Sequence, residues 1–428
     1  MTLSSQPYKG TRDYFPAEKQ TQNYIFNVWR KVVESFGYEE YGAPILEPID
    51  IYAAKSGQEL VNDQTYIFND RGGRTVAIRP EMTPSISRMV AARRQELAYP
   101  ARLYSIANFM RYERPQRGRE REFWQLNIDI FGVDDMAADI EIIMMSDALL
   151  KALGAKNNDF TIRINNRKCI NFMMTQYLGL DEVDAQRMMK LFDRRNKITA
   201  QDFKEQALQI FGETTPDDAR FQKIEQIVTV TSIDELPAEL KQSPALFELK
   251  AVLEGVAKAG VGTAVFDASL MRGLDYYTGT VFEVFDTHPD NNRALFGGGR
   301  YDGLVEMFGA EPISAVGVAM GSTMIENFLT VRDLIPAHRS LTKMYIAVIG
   351  NALTKANEVA TKLRSAGINT EVDMTSRKID KKLKTATKKC IEYVLFVGEH
   401  DTDSFSLKNL VSQEEVKLSI KDIIARFA

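Results

Sequence analysis

Five arginines, Arg111, Arg114, Arg117, Arg119 and Arg121, fall within the eleven residues RYERPQRGRER. A guanidinium is a planar fork that meets phosphate oxygens two at a time, so an arginine-rich hairpin is a natural clamp for a polyphosphate or an RNA end. Glu113, Glu120 and Glu122 lie among them and could pair with some, giving a salt-bridged exposed turn instead. The phosphate role is the favoured reading, though not for every arginine. Directly downstream, FWQLNIDIF (123–131) alternates in type, with Phe123, Gln125, Asn127 and Asp129 on one face and Trp124, Leu126, Ile128 and Ile130 on the other. A third stretch, RGLDYYTGTVFE (272–283), sets Arg272, Asp275, Tyr276 and Tyr277 ahead of what otherwise reads as a strand.

These groups work together only if the chain brings them to one surface. A hairpin joining NFMRYE to FWQLNIDIF adds Phe109, Arg111 and Glu113 to the polar face of the second strand, collecting aromatic rings, a cation, carboxylates and an amide. The glycine run in LFGGGRYDGL (295–304) permits close approach of backbone to a ligand or to another strand. In IRPEMTPSISRMV (78–90), Glu81 and Thr83 share a parity beside two prolines. Several loops therefore converge on one cavity. No G-x-x-x-x-G-K-[ST] phosphate loop occurs.

The elements that must hold this cavity fill a chain of 428 residues, enough for about two or three domains. Helical spacing of Tyr24, Ile25, Val28, Trp29, Val32, Val33 and Phe36 gives an amphipathic first helix. To about residue 330 strands alternate with helices, mostly as antiparallel pairs, and polar, helix-rich 181–255 reads as an inserted subdomain. The pattern breaks over 331–343, and 344–428 reads as a separate α/β domain. Its segment RKIDKKLKTATKKC (377–390) gathers Lys381, Lys382 and Lys384 with four further basic residues, either a solvated helix face or an RNA-binding one.

A net charge of −4 gives no bulk reason to bind nucleic acid or membrane, although local basic patches remain compatible with it. Two distant cysteines, Cys169 and Cys390, fit a reducing compartment. The three histidines have no ligand spacing, so no metal site is expected. Neither a leader pattern nor an apolar run of about 18 residues is found, and a cytoplasmic location without membrane contact is the expectation.

KGTRDYFP (9–16), RPEMT (79–83), RYERPQRGREREFWQ (111–125), RGLDYYTGTVFE (272–283) and GGGRYDGL (297–304) together resemble histidyl-tRNA synthetase, in order over most of residues 9–321. The resemblance implies an α+β fold: a class II antiparallel-sheet catalytic domain at 1–330 with a helical insertion, and an anticodon-binding domain at 344–428. It implies a homodimer through the first helix and the segment around Pro44, and two-step ligation of L-histidine to tRNA(His) using ATP and Mg2+. Catalysis would rest on Arg111 and Arg272. Histidine would be bound by Glu81, Thr83, Arg111, Gln125, Asp129, Arg272, Tyr276 and Tyr277. ATP would meet Arg111, Glu113, Arg119, Phe123 and Arg300, and tRNA would meet Arg117, Lys381, Lys382 and Lys384.

One departure stands out: Met324 occupies the place where the class usually carries an arginine over the adenine and γ-phosphate. A thioether covers a ring but neutralises no phosphate. Arg300 or Arg121 would then supply the charge, or ATP use is impaired. The latter fits a paralogue that lost aminoacylation and regulates ATP phosphoribosyltransferase; a non-catalytic sensor of uncharged tRNA is a further rival.

Overall fold

The computed structural model describes residues 3–53, 60–195, 198–212, 219–271, 276–291 and 293–427. The chain divides into two compact units, Met1–Ile335 and Pro336–Ala428.

In the first unit Pro16 opens α1 (Pro16–Ser35), where its missing N–H is one that a helix start leaves unpaired anyway, and Ile25, Phe26, Trp29 and Val33 form the buried stripe. β1 (Glu39–Glu40) follows, then a small antiparallel sheet of β2 (Leu46–Pro48), β3 (Tyr66–Asn69) and β4 (Thr75–Ile78), with the single turn α2 (Asp50–Ala53) after β2. α3 (Thr83–Ala92) leads to the long hairpin of β5 (Ala101–Met110) and β6 (Glu122–Phe131), and α4 (Ala137–Ala152) to β7 (Phe160–Asn166). Among the described residues the α-helices α5 (Arg167–Phe172), α6 (Glu182–Asp193), α7 (Ala200–Phe211), α8 (Ala219–Thr229) and α9 (Leu246–Lys258) come next. β8 (Ala264–Phe266), β9 (Thr280–Asp286), β10 (Ala294–Arg300), β11 (Ala315–Gly321) and α10 (Ser322–Thr330) complete the unit.

The large sheet has eight strands in the order β1-β5-β6-β11-β10-β9-β7-β8, antiparallel except for the outer pairs β1–β5 and β7–β8. Strand alternation sorts its two faces. Leu126, Ile128 and Ile130 of β6 lie level with Met320, Val318 and Val316 of β11, and all six are buried in one apolar core with Trp29, Ile142 and Leu149. Burying side chains of this size contributes roughly 1.5–3 kcal/mol each. α6 and α7 start on side-chain caps from Asp181 and Thr199, and with α8 they bury Met188, Phe192, Phe203, Phe211, Phe221 and Ile224. α9 packs instead on β7, β8 and α4, against the sheet itself.

The second unit is a five-stranded mixed sheet: β12 (Met344–Val348), β13 (Thr370–Asp373), β14 (Tyr393–Val397), β15 (Ser404–Asn409) and β16 (Glu415–Ser419), ordered β13-β12-β14-β15-β16. α11 (Leu353–Ser365) and α13 (Ile420–Phe427) pack with one apolar cluster, and α12 (Ile379–Lys388) sets Leu383 and Ala386 into another with Tyr345, Ala347 and Val394. Among the described residues no helix is long and apolar enough to cross a membrane.

Candidate active site

The face opposite the core is polar because the same alternation puts it there. Asp129 of β6 pairs with Gly317 of β11, and Asn127 with Ala319; across the sheet Gly297 of β10 pairs with Glu283 of β9, which pairs with Arg163 of β7. The central strands thus offer small residues where their neighbours offer functional ones. At Gly317 this is obligatory, since a Cβ would overlap the Asp129 carboxylate and the β6 backbone. The resulting cavity, about 990 Å3, is lined by Glu81, Thr83, Arg111, Glu113, Arg119 and Phe123, and also by Gln125, Asp129, Tyr276 and Tyr277. Ten of the expected substrate-binding residues therefore share one space.

Its acidic end is deeply buried. Glu81 and Asp129 are 5% and 4% exposed. Tyr276 donates its hydroxyl to Glu81 at 3.3 Å, and Tyr301 donates to Asp129. The rings of Tyr276 and Tyr277 lie 4.9 Å apart, and those of Tyr276 and Tyr301 5.9 Å. Burial pushes the Asp129 carboxyl up to about 7, a rise that the Tyr301 hydrogen bond partly offsets. Tyr301 is raised well above the usual phenol range by burial and by the Asp129 charge beside it. Such a pocket offers a polar ring matched donors and acceptors.

The basic end is built by the hairpin. β5 and β6 pair over ten residues, bringing Phe109 opposite Phe123 with ring centroids 5.8 Å apart. Arg111 continues from β5, donates Nε to the Pro80 carbonyl at 2.8 Å, and holds its guanidinium 5.3 Å from the Phe123 ring centre. Arg119 pairs with Glu113 at 3.0 Å. The turn between them runs through Gly118 at φ +77°, a left-handed conformation that favours glycine, and a Cβ there would also overlap the sulfur of Met324. Arg117 is exposed at the tip, 3.8 Å from Asp290.

Two arginines expected to serve the nucleotide lie elsewhere. Arg300 projects from the core-facing parity of β10, is 9% exposed, and is not part of the cavity lining; its guanidinium pairs with Asp139 and donates to the carbonyls of Val133 and Asp135 at 3.1 and 2.9 Å. A cation held this way is a structural member of the core, and the ATP contact expected of Arg300 has no counterpart in the cavity lining. Arg121 donates to the Tyr8 hydroxyl at 2.9 Å and lies 4.1 Å from the Tyr112 ring centre, pinning the N-terminal segment to the hairpin. Arg272 falls outside the described residues.

In the second unit α12 exposes Lys381 and Lys384 together with Arg377, Lys378 and Lys388. Lys382 differs: it is 2% exposed and donates Nζ to the Val348 carbonyl at 2.8 Å, closing the end of β12. The RNA contact expected of Lys382 thus falls on an inward-facing side chain. Among the described residues no group of three or more His, Cys, Asp or Glu could hold a metal ion.

Tyr301 is not among the expected site residues, although it lies two residues after the glycine run, and nothing in its local spacing marks its reach to Asp129. Arg12, in KGTRDYFP, joins the hairpin to α10 by pairing with Glu120 at 3.4 Å and with Glu326.

The histidyl-tRNA synthetase family matches residues 10–325, and an anticodon-binding domain family matches residues 343–428. A histidine–tRNA ligase of Leptospira biflexa is 38% identical over 431 residues, covering 99% of this chain and 97% of the relative. That of Haloarcula marismortui is 35% identical, covering 96% and 95%. A crystal structure of histidyl-tRNA synthetase from Nostoc sp. PCC 7120 superposes with a TM-score of 0.82 at 24% identity, covering 99% of this chain and all of that one. Matched in its large unit, in its C-terminal unit and in identity along nearly its whole length, the chain belongs to the histidyl-tRNA synthetase family.

Proposed function

We propose that the protein ligates L-histidine to tRNA(His) through a histidyl-adenylate. The observation that carries this is one cavity with two chemically opposite ends, buried carboxylates and phenols at one and hairpin arginines at the other. Histidine sits with its α-ammonium toward Glu81 and Thr83 and its imidazole toward Asp129, Gln125, Tyr276, Tyr277 and Tyr301. Its carboxylate attacks the α-phosphorus of ATP; the new O–P bond forms as the bond to the β-phosphate oxygen breaks, and pyrophosphate leaves with that electron pair. Arg111, with Arg272, stabilises the charge that develops on the phosphoryl oxygens. Adenine lies against Phe123. A ribose hydroxyl of the terminal adenosine then attacks the activated carbonyl and releases AMP.

Mg2+ would neutralise phosphate charge when bound with the triphosphate, and a protein cage is not needed for it, since it commonly binds through one or two carboxylates plus substrate phosphates. Glu113 and Glu120 line the hairpin end and are the carboxylates available to it. Transfer-RNA is gripped by Arg117 and by Lys381 and Lys384 of the second unit. The functional form is a cytoplasmic homodimer; Ile45, Leu46, Ile67 and Phe68 are 43–45% exposed on and beside the small sheet near Pro44, the kind of apolar patch a second copy covers. A monomer in sedimentation at micromolar concentration refutes that assembly.

A second reading, a regulatory subunit of ATP phosphoribosyltransferase without ligase activity, is favoured by Met324. Pyrophosphate exchange into ATP, run with each of the twenty amino acids and no tRNA, separates the two. Exchange driven by histidine alone is expected; none, in folded protein that binds histidine, moves the assignment to the regulatory subunit.

A further inference from the structure

Met324 leaves the triphosphate without the cation that this helix position would otherwise supply. Its sulfur packs on the hairpin turn at Gly118 and lines the cavity, so it closes the nucleotide end sterically but not electrostatically. Most nearby arginines already have partners. Arg12 is tied to Glu120 and Glu326, Arg121 to Tyr8, and Arg300 to Asp139. Arg163 pairs with Asp267 at 3.1 Å and lies 4.4 Å from the Phe285 ring centre, while Arg119 pairs with Glu113.

Arg293 is different. It directly precedes β10, whose antiparallel register with β11 sets Gly297 against Ala319 and Phe296 against Met320. The β10–β11 ladder ends at Phe296 and Met320, so Arg293 precedes it on one strand while Thr323 and Met324 follow it on the other, at the start of α10. All three line the same cavity. The Arg293 Nη2 donates to Gln116 Oε1 at 3.0 Å, which anchors the guanidinium to the hairpin turn. Its Nη1 is shielded from solvent and has no hydrogen-bond partner among the described residues. A buried guanidinium nitrogen left in this state is costly unless a ligand oxygen completes it.

We propose that Arg293 binds the β- and γ-phosphates of ATP, supplying from the start of β10 the charge that Met324 cannot supply from the helix. This rests on the reading of the cavity as an ATP site. Arg293 meets the hairpin through Gln116, and Asp290 meets it again through Arg117, so the same loop that carries the cation also fixes the hairpin tip. Seating the triphosphate and closing the hairpin become one event.

The test is calorimetric titration of ATP and of AMP into wild type, Arg293→Ala and Arg293→Lys, without histidine. Arg293→Ala should lose about 100-fold in ATP affinity with AMP affinity unchanged within threefold; Arg293→Lys, keeping a point charge but not the fork, should lose about tenfold. A structural role would lower both nucleotides together. Equal ATP affinity in wild type and Arg293→Ala, or parallel loss of ATP and AMP in both variants, overturns the inference while leaving the ligase reading intact. Wild type that binds neither nucleotide removes both. Should Arg293→Ala not fold, Arg293→Lys and Gln116→Ala carry the same comparison, with the same selective loss of ATP expected and an unchanged ATP-to-AMP ratio in both refuting it.

Discussion

Replacing Asp129 with Asn tests the electrostatics at the buried acidic end of the cavity. Burial raises the carboxyl from 3.8 to about 7. Three units at about 1.36 kcal/mol each give ~4 kcal/mol as the full cost of ionising it in place; water in the open cavity reduces this to about 2–4 kcal/mol. The direction follows from proton counting. Between pH 4 and 7 the folded state keeps the proton and the unfolded chain has lost it, so stability falls as pH rises through that window. Below pH 4 both states hold the proton, above 7 neither does, and the contribution is flat. Asp129→Asn keeps an oxygen to accept from Tyr301 but does not titrate. Scanning calorimetry of both proteins from pH 4.5 to 8 should show the variant gaining on wild type by about 2–4 kcal/mol as pH rises, a shift on the order of 5 °C in the transition of the N-terminal unit. Parallel curves would show that Asp129 ionises at its ordinary pKa and that the pocket is wetter than its geometry implies.

Two further expectations concern Lys382 and Arg300, the two expected site residues that the structure buries. Replacing Lys381 and Lys384 together with Ala should weaken tRNA binding and flatten its salt dependence by about two charges, whereas Lys382→Ala should leave the slope unchanged and lower the melting temperature of the C-terminal unit. Filter binding across a salt series, with a thermal melt alongside, checks both. Asp139→Ala should cost about 3–5 kcal/mol in urea unfolding by leaving the buried Arg300 charge unpaired, with the ATP-to-AMP affinity ratio unaltered in whatever protein remains folded. A selective loss of ATP would return Arg300 to the nucleotide.

The polar face of β6 could be read directly because a period of two is a local property: Gln125, Asn127 and Asp129 must share a side of any strand that buries Leu126, Ile128 and Ile130. The hairpin with β5 was legible for the same reason. Arg300 was not, since its partner Asp139 lies 161 residues earlier and nothing in GGGRYDG reveals that the arginine faces the core. Lys382 was hidden inside a run of similar lysines, and only docking of Leu383 and Ala386 onto the sheet decides which of them turns inward. Arg293 gave no signal by spacing; it is placed by the hairpin turn, whose Gln116 lies 177 residues earlier. Local periodicity fixes which side chains share a face, while pairing partners distant in sequence fix which charges remain for a ligand.

The floor of small residues beneath Asp129 and Asn127 has a thermodynamic consequence. Gly317, Ala319 and Gly297 present backbone or a methyl group with no side-chain torsions to freeze, so a ligand settling on them pays almost no rotamer entropy there. The arginines at the hairpin end are long, several are partly exposed, and each must be immobilised as phosphate arrives. Ordering costs therefore fall unevenly across one cavity: on the reading proposed above, amino acid binding is close to a rigid-body event and nucleotide binding carries the larger entropic penalty.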